Sequence, residues 1–138
     1  MSTLRTTLIG YVRYRGHQGH LAFLMHRVTG LGTLLFLTIH ILDTATVYFF
    51  PNLYADAIAV YRTTLFGLAE MVLVFCVLYH GANGLRIAFS DWFPKYWTIE
   101  IERKWATRTL ILAIILWLPA AIIMGRSLLI YNFHLFEG

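Results

Sequence analysis

Leu78-Tyr79-His80-Gly81-Ala82-Asn83-Gly84-Leu85-Arg86 is the stretch that decides the fold. Residues 65 to 90 around it are almost wholly apolar, which predicts a helix crossing a bilayer. His80 sits well inside that run. An ionisable ring in hydrocarbon is costly unless it meets a partner, a cavity or a metal. Gly81 and Gly84 remove bulk beside it, as where another helix or a flat macrocycle lies close. On spacing alone two readings stand for His80: a packing histidine, or a ligand, since imidazole is a common axial ligand of haem iron.

Outward from this stretch the chain keeps the same character. Of its 138 residues, 59% are hydrophobic and only 13% charged, and the charges cluster between long apolar runs. That pattern excludes a soluble domain and predicts an integral membrane protein. Three runs are long enough to span, at about 20 residues each: roughly 24–50, 64–91 and 107–131. The expected fold is all-α, with three transmembrane helices in a single membrane-anchor domain over residues 1–138.

Charge predicts the orientation. Arg5, Arg13, Arg15 and Arg27 crowd the N-terminal side, and Lys95, Arg103, Lys104 and Arg108 the second loop. The loop after the first span has only Arg62. The positive-inside rule puts the N-terminus in the cytoplasm and the C-terminus outside, in a multi-pass inner (cytoplasmic) membrane protein. Trp92, Trp97 and Trp105 suit an inner aromatic belt, and Tyr48, Tyr54 and Tyr131 an outer one. These cations flank spans and form no separate basic domain, so nucleic acid is not an expected partner. The first 23 residues lack the apolar core and cleavage site of a signal peptide. Cys76 stands alone mid-span and reads as packing. Any iron–sulfur centre must then belong to another chain.

Residues 1 to 22 are expected to lie along the inner surface or against a partner. After Pro51-Asn52, the spacing of Leu53, Ala57, Ile58 and Tyr61 predicts a short interfacial helix. Residues 95 to 106 mix charge with aromatics and are expected at the cytoplasmic surface. Pro119 is expected to kink the third span, leaving the Ile115 carbonyl without its usual bond.

On the first span, His26, Gly30, Thr33, Leu37, His40 and Thr44 fall near one face. Such a stripe should face the bundle interior. Hydrogen bonds between helices account for the threonines but poorly for two histidines. His40 lies about 21 Å beyond His26, deep in hydrocarbon. On the second span Asn83 is close to His80. Asp91 returns to nearly the same face, and Arg86 lies about 120° round and about 9 Å nearer the cytoplasm. Asp43, Glu70 and Arg126 share one depth near the outer edge, so Arg126 is expected to pair with one of the two carboxylates.

His26-Arg27-Val28-Thr29-Gly30 opens the first span, and His80-Gly81-Ala82-Asn83-Gly84-Leu85-Arg86, followed by Asp91, closes the second. In that order, on three spans, these resemble the cytochrome b anchor subunit of succinate dehydrogenase, respiratory complex II. The family patterns are H-R-x-[ST]-G and H-x-x-x-G-[IL]-R-x-x-x-x-D. The resemblance covers nearly the whole chain, and His40-Ile41-Leu42-Asp43-Thr44-Ala45 is similar to actinobacterial-type members. It implies that His80 is the axial ligand of haem b iron. It implies that His26 and Arg27 meet haem propionate and the quinone pocket; Arg86, a long cation that can reach an anionic group along the bundle, is expected near the propionates on charge. It implies a quinone pocket near Arg27 and Thr29, with Asp91 at the cytoplasmic end of the second span. Phe23 stands where many members have a serine near the quinone, and Ile87 where many have a second histidine. Two-haem relatives use a first-span histidine, so His40 is either a second haem ligand or a hydrogen-bonding residue.

The implied partners are a second membrane-anchor subunit, an iron–sulfur subunit, a flavoprotein subunit and the lipid bilayer. Such a chain catalyses nothing alone; it is a subunit that helps pass electrons from succinate to quinone. The alternatives are a fumarate reductase anchor, or a small structural or proton-path subunit without haem.

Overall fold

The structure, a computed structural model, describes residues 18–133. These form helices α1 (Gln18–Phe49), α2 (Pro51–Tyr61), α3 (Thr64–Trp92) and α4 (Ile99–Phe133), with a single 3₁₀ turn at Pro94–Tyr96. Three of them, α1, α3 and α4, are long and apolar enough to cross a membrane. In hydrocarbon every backbone N–H and C=O must be met internally, which a helix does by itself. The expected all-α bundle with three candidate spans is what forms. The surface placement expected for residues 1–17 lies outside the described residues.

Proline and extended residues set the breaks. Pro51 has no N–H to lose at the first position of α2, and it pushes Phe50 off helical geometry (φ −144°, ψ 69°). Thr63 is extended before α3. Phe93 leaves the helix before Pro94. Two starts differ from the sequence expectation. α1 is already helical at Gln18, ahead of the expected start near residue 24, and α4 begins at Ile99, not near 107. Polar residues do not stop a helix if its first turn is well served. Thr98 Oγ1 accepts a bond from Ile101 N at 3.4 Å, as a helix N-cap does. Glu100 and Glu102 lie at the electropositive helix start. Lys104 reaches Glu100 at 2.8 Å, an exposed pair worth little. The charged surface segment expected over 95–106 is therefore mostly helix, from Ile99 on. α4 runs on through Pro119.

The helix α3 is central, packing chiefly on α1 and α4. The buried set is Ala22 and Thr29 of α1, Cys76, Tyr79 and Asn83 of α3, and Ala106, Thr109 and Ala113 of α4. Small residues on the flanking helices let the backbones close around Tyr79 and Asn83, as membrane helix packing favours. Gly32 is needed for this: a Cβ there would lie 2.7 Å from Cys76 Sγ. Toward the other end, Trp117 Nε1 donates to the Met71 carbonyl at 2.9 Å, and its ring meets Phe75 edge-on. Large apolar side chains such as Leu31, Ile122 and Ile123 point outward, as lipid contact requires.

Candidate functional site

His80 Nδ1 lies 3.1 Å from the backbone carbonyl of His26. A carbonyl can only accept, so the proton sits on Nδ1 and the Nε2 lone pair is left free. That carbonyl is reachable because Gly30, one turn later, has no side chain to cover it. A Cβ on Gly30 would stand 2.9 Å from His80 Cε1 and 3.2 Å from Nδ1. The His26 ring then stacks on His80, with centroids 4.1 Å apart and planes 6° from parallel. Carbonyl, ring and missing methyl group together fix the orientation of one imidazole.

The glycine beside His80 is therefore not the one the sequence suggests. A Cβ at Gly81 would meet nothing within 4 Å, and one at Gly84 would make only ordinary contact with His26 Cε1 at 3.8 Å. Close approach happens across the helix pair, from Gly30. The His26 carbonyl was missed by sequence reasoning because every residue has a carbonyl.

His26 turns inward to α3, while Arg27, the next residue, turns outward. Its guanidinium carbon lies 4.4 Å from the centre of the Phe23 ring, and both side chains are exposed. Thr29 is buried, its hydroxyl donating to Met25 O at 2.7 Å. Arg86 is half-buried. Its Nε and Nη1, with His26 Nδ1 and both amide atoms of Asn83, are buried without a hydrogen-bond partner among the described residues. Asp91 is exposed near the end of α3 and forms no ion pair there with a described residue. The structure thus gathers His26, His80 and Arg86 at one end of α1 and α3. It places Arg27 and Phe23 on the outer surface of α1.

His40 is exposed and, among the described residues, stacks only on Phe36 of its own helix, at 5.7 Å. The threonines do not bond between helices as expected. Thr29, Thr33 and Thr44 all donate to carbonyls of α1 itself, because a helical hydroxyl finds the carbonyl four residues back before any neighbour. Nor does Arg126 pair with Asp43 or Glu70; among the described residues no ion pair involves it. Asp43 instead accepts from the Tyr61 hydroxyl at 3.0 Å, which ties α2 back to α1. Tyr61 is a long, aromatic donor already held at that level, whereas Arg126 is exposed and can extend its cation outward.

Among the described residues no three metal-binding side chains cluster. What this end of the bundle offers is a single pre-oriented imidazole nitrogen. A groove of about 680 Å³ lies away from it, between the ends of α2, α3 and α4, lined by Tyr61, Glu70, Ser127 and Tyr131 among others.

Residues 11–122 match the model of the succinate dehydrogenase/fumarate reductase transmembrane subunit family. The chain is also 33% identical over 115 residues to the succinate dehydrogenase 2 membrane subunit SdhC of Mycobacterium tuberculosis, covering 81% of each protein. With three spanning helices and a match over most of its length, this multi-pass membrane protein belongs to the succinate dehydrogenase/fumarate reductase transmembrane subunit family.

Proposed function

We propose that this chain is the haem b-bearing membrane anchor of a succinate dehydrogenase in the cytoplasmic membrane. In this reading it fixes the flavoprotein and iron–sulfur subunits there and contributes to the site where quinone is reduced. The observation that carries it is the Nδ1–H bond from His80 to the His26 carbonyl. A metal-binding histidine characteristically donates its other ring N–H in this way, which fixes the tautomer and raises the basicity of the ligating nitrogen. Bound haem b would supply a one-electron redox centre.

The residues present fit such a group. His80 Nε2 would ligate the haem iron, and a histidine of the second anchor subunit would supply a second ligand. His26 Nδ1 and the Arg86 guanidinium are buried polar groups without partners. That is the environment in which propionate carboxylates find hydrogen bonds and countercharge. Arg27 is the outward-facing cation for quinone. Its guanidinium can donate to a quinone carbonyl, and Phe23 supplies an apolar wall in place of a serine hydroxyl. Thr29, being buried, backs this wall. Asp91 lies further along, in the last turn of α3.

The test is a His80→Ala complex. It should assemble with its dehydrogenase subunits yet lose the low-spin b-type absorption spectrum. A full b-type spectrum in that variant would overturn the ligand assignment. A wild-type complex without haem would favour the structural or proton-path reading.

A further inference from the structure

Asn83 is 1% exposed, and neither its Nδ2 nor its Oδ1 bonds to a described residue. An unmet buried amide group costs about 1–3 kcal/mol, so it calls for a partner. No second subunit can reach it, because α1, α3 and α4 of its own chain already cover it. Backbone N–H groups within the helices are spent on their own ladders. Oδ1 therefore needs a donor that is not backbone.

Two further unmet groups lie on the same turns. The His26 ring stacks on His80, three residues before Asn83, and its Cε1 faces Gly84, the residue after it. Arg86 is three residues further on, and its Nε and Nη1 are buried without a partner among the described residues. The chemistry of this set limits what can join it. Nδ2 and the guanidinium only donate, whereas Oδ1 only accepts. A carboxylate or a quinone carbonyl would answer the donors and leave Oδ1 unmet. Water both donates and accepts, and a buried water typically makes about three such bonds.

We infer that Asn83, with either His26 Nδ1 or one Arg86 nitrogen, holds a resident water molecule inside the core of this chain, which leaves the other group to a propionate. The inference draws on the packing of α1 on α3 and not on haem ligation.

A structure of the intact complex in lipid nanodiscs, resolved well enough to show waters, tests it directly. The expected result is a water within about 2.7–3.2 Å of Asn83 Oδ1 and of either His26 Nδ1 or an Arg86 nitrogen. A direct bond from Arg86 or His26 to Oδ1, with no water between, would overturn it. Asn83→Leu, of similar volume, gives a second readout. Losing a bridging water strands its partner, His26 or Arg86, so the thermal midpoint of the complex should fall. An unchanged or raised midpoint would mean that Asn83 bridges nothing. The wild-type structure decides the matter if the variant fails to assemble.

Discussion

At the His80 end of the bundle, α1 and α3 meet through a carbonyl, two stacked rings and a glycine. At the Asp43 end the helices meet through Tyr61 to Asp43, Trp117 to the Met71 carbonyl and the close approach of Gly67 to Leu128, with no oriented imidazole among them. Every buried described residue lies at the first end or the middle; none falls between 33 and 75 or after 113. A membrane helix gains nothing from hiding apolar surface from lipid, so buried contact must be built from fit and hydrogen bonds. This chain concentrates both where a polar imidazole has to be oriented. It leaves the other end to be completed by lipid or by the second anchor subunit that the proposed function requires.

The sharpest way to break this contrast is Gly30→Ala. The added methyl group would sit 2.9 Å from His80 Cε1, on a backbone that cannot retreat cheaply. Overpacking of this kind costs about 1–3 kcal/mol. It should expel His80 from its bond to the His26 carbonyl, and haem content per flavin should fall nearly to zero. Gly81→Ala, with open space around it, should leave haem content unchanged. Equal effects at the two glycines would erase the distinction drawn here.

Next in size is Arg27→Leu. A charged hydrogen bond contributes about 1.5–3 kcal/mol, so quinone reduction should slow roughly tenfold or more. Succinate oxidation by a soluble artificial acceptor should be spared. Parallel losses in both assays would show that Arg27 supports assembly and not the quinone.

Tyr61→Phe probes the other end. It removes the one described cross-helix bond to Asp43, at a cost of about 1 kcal/mol, and should lower the thermal midpoint slightly with no change in the haem spectrum. Its pH dependence has a definite sign. The hydrogen bond to Asp43, then burial, then the carboxylate charge push the Tyr61 phenol above its usual value. A raised pKa gives stability that is complete below the unfolded value, about 10, and is lost as pH rises through the folded one. The Tyr61 contribution should thus be constant through neutral pH and vanish only in strong alkali. A loss already at pH 8 would contradict it. The smallest effect is expected from His40→Leu. With His40 stacked only on its own helix among the described residues, the complex should keep about one haem per flavin, as expected where one chain offers a single such nitrogen. A wild-type ratio near two, reduced by this substitution, would make the Asp43 end a second cofactor site.

The three spans were legible in the sequence because hydrocarbon allows a lone segment little besides a helix. α3 was expected over 64–91 and occupies Thr64–Trp92. The helix starts were less legible. At Gln18 and Ile99 polar residues continue a helix, and only local geometry such as the Thr98 bond shows where it begins. Of the site, the depth of His80 and the inward stripe through His26 and Gly30 could be read from spacing. Which glycine touches the ring could not, since that depends on the rotation of α1 against α3. Nor could the division between His26 and Arg27, adjacent residues about 100° apart around a helix. The outer half of the stripe, Leu37, His40 and Thr44, fits the helical period equally well but is exposed.

The alanine-rich core has a consequence for mutational tolerance. In a water-soluble domain, damage follows lost volume, and truncating a large leucine is the severe lesion. Here the leucines and isoleucines mostly face outward, and the residues that touch are Ala22, Ala106, Thr109 and Ala113. Damage should follow gained volume instead. Among variants that keep the chain apolar, the harmful ones are those that grow an alanine on α4. Trimming a leucine exposed on the same helix should pass almost unnoticed. A substitution scale trained on soluble proteins would rank these two classes in the wrong order.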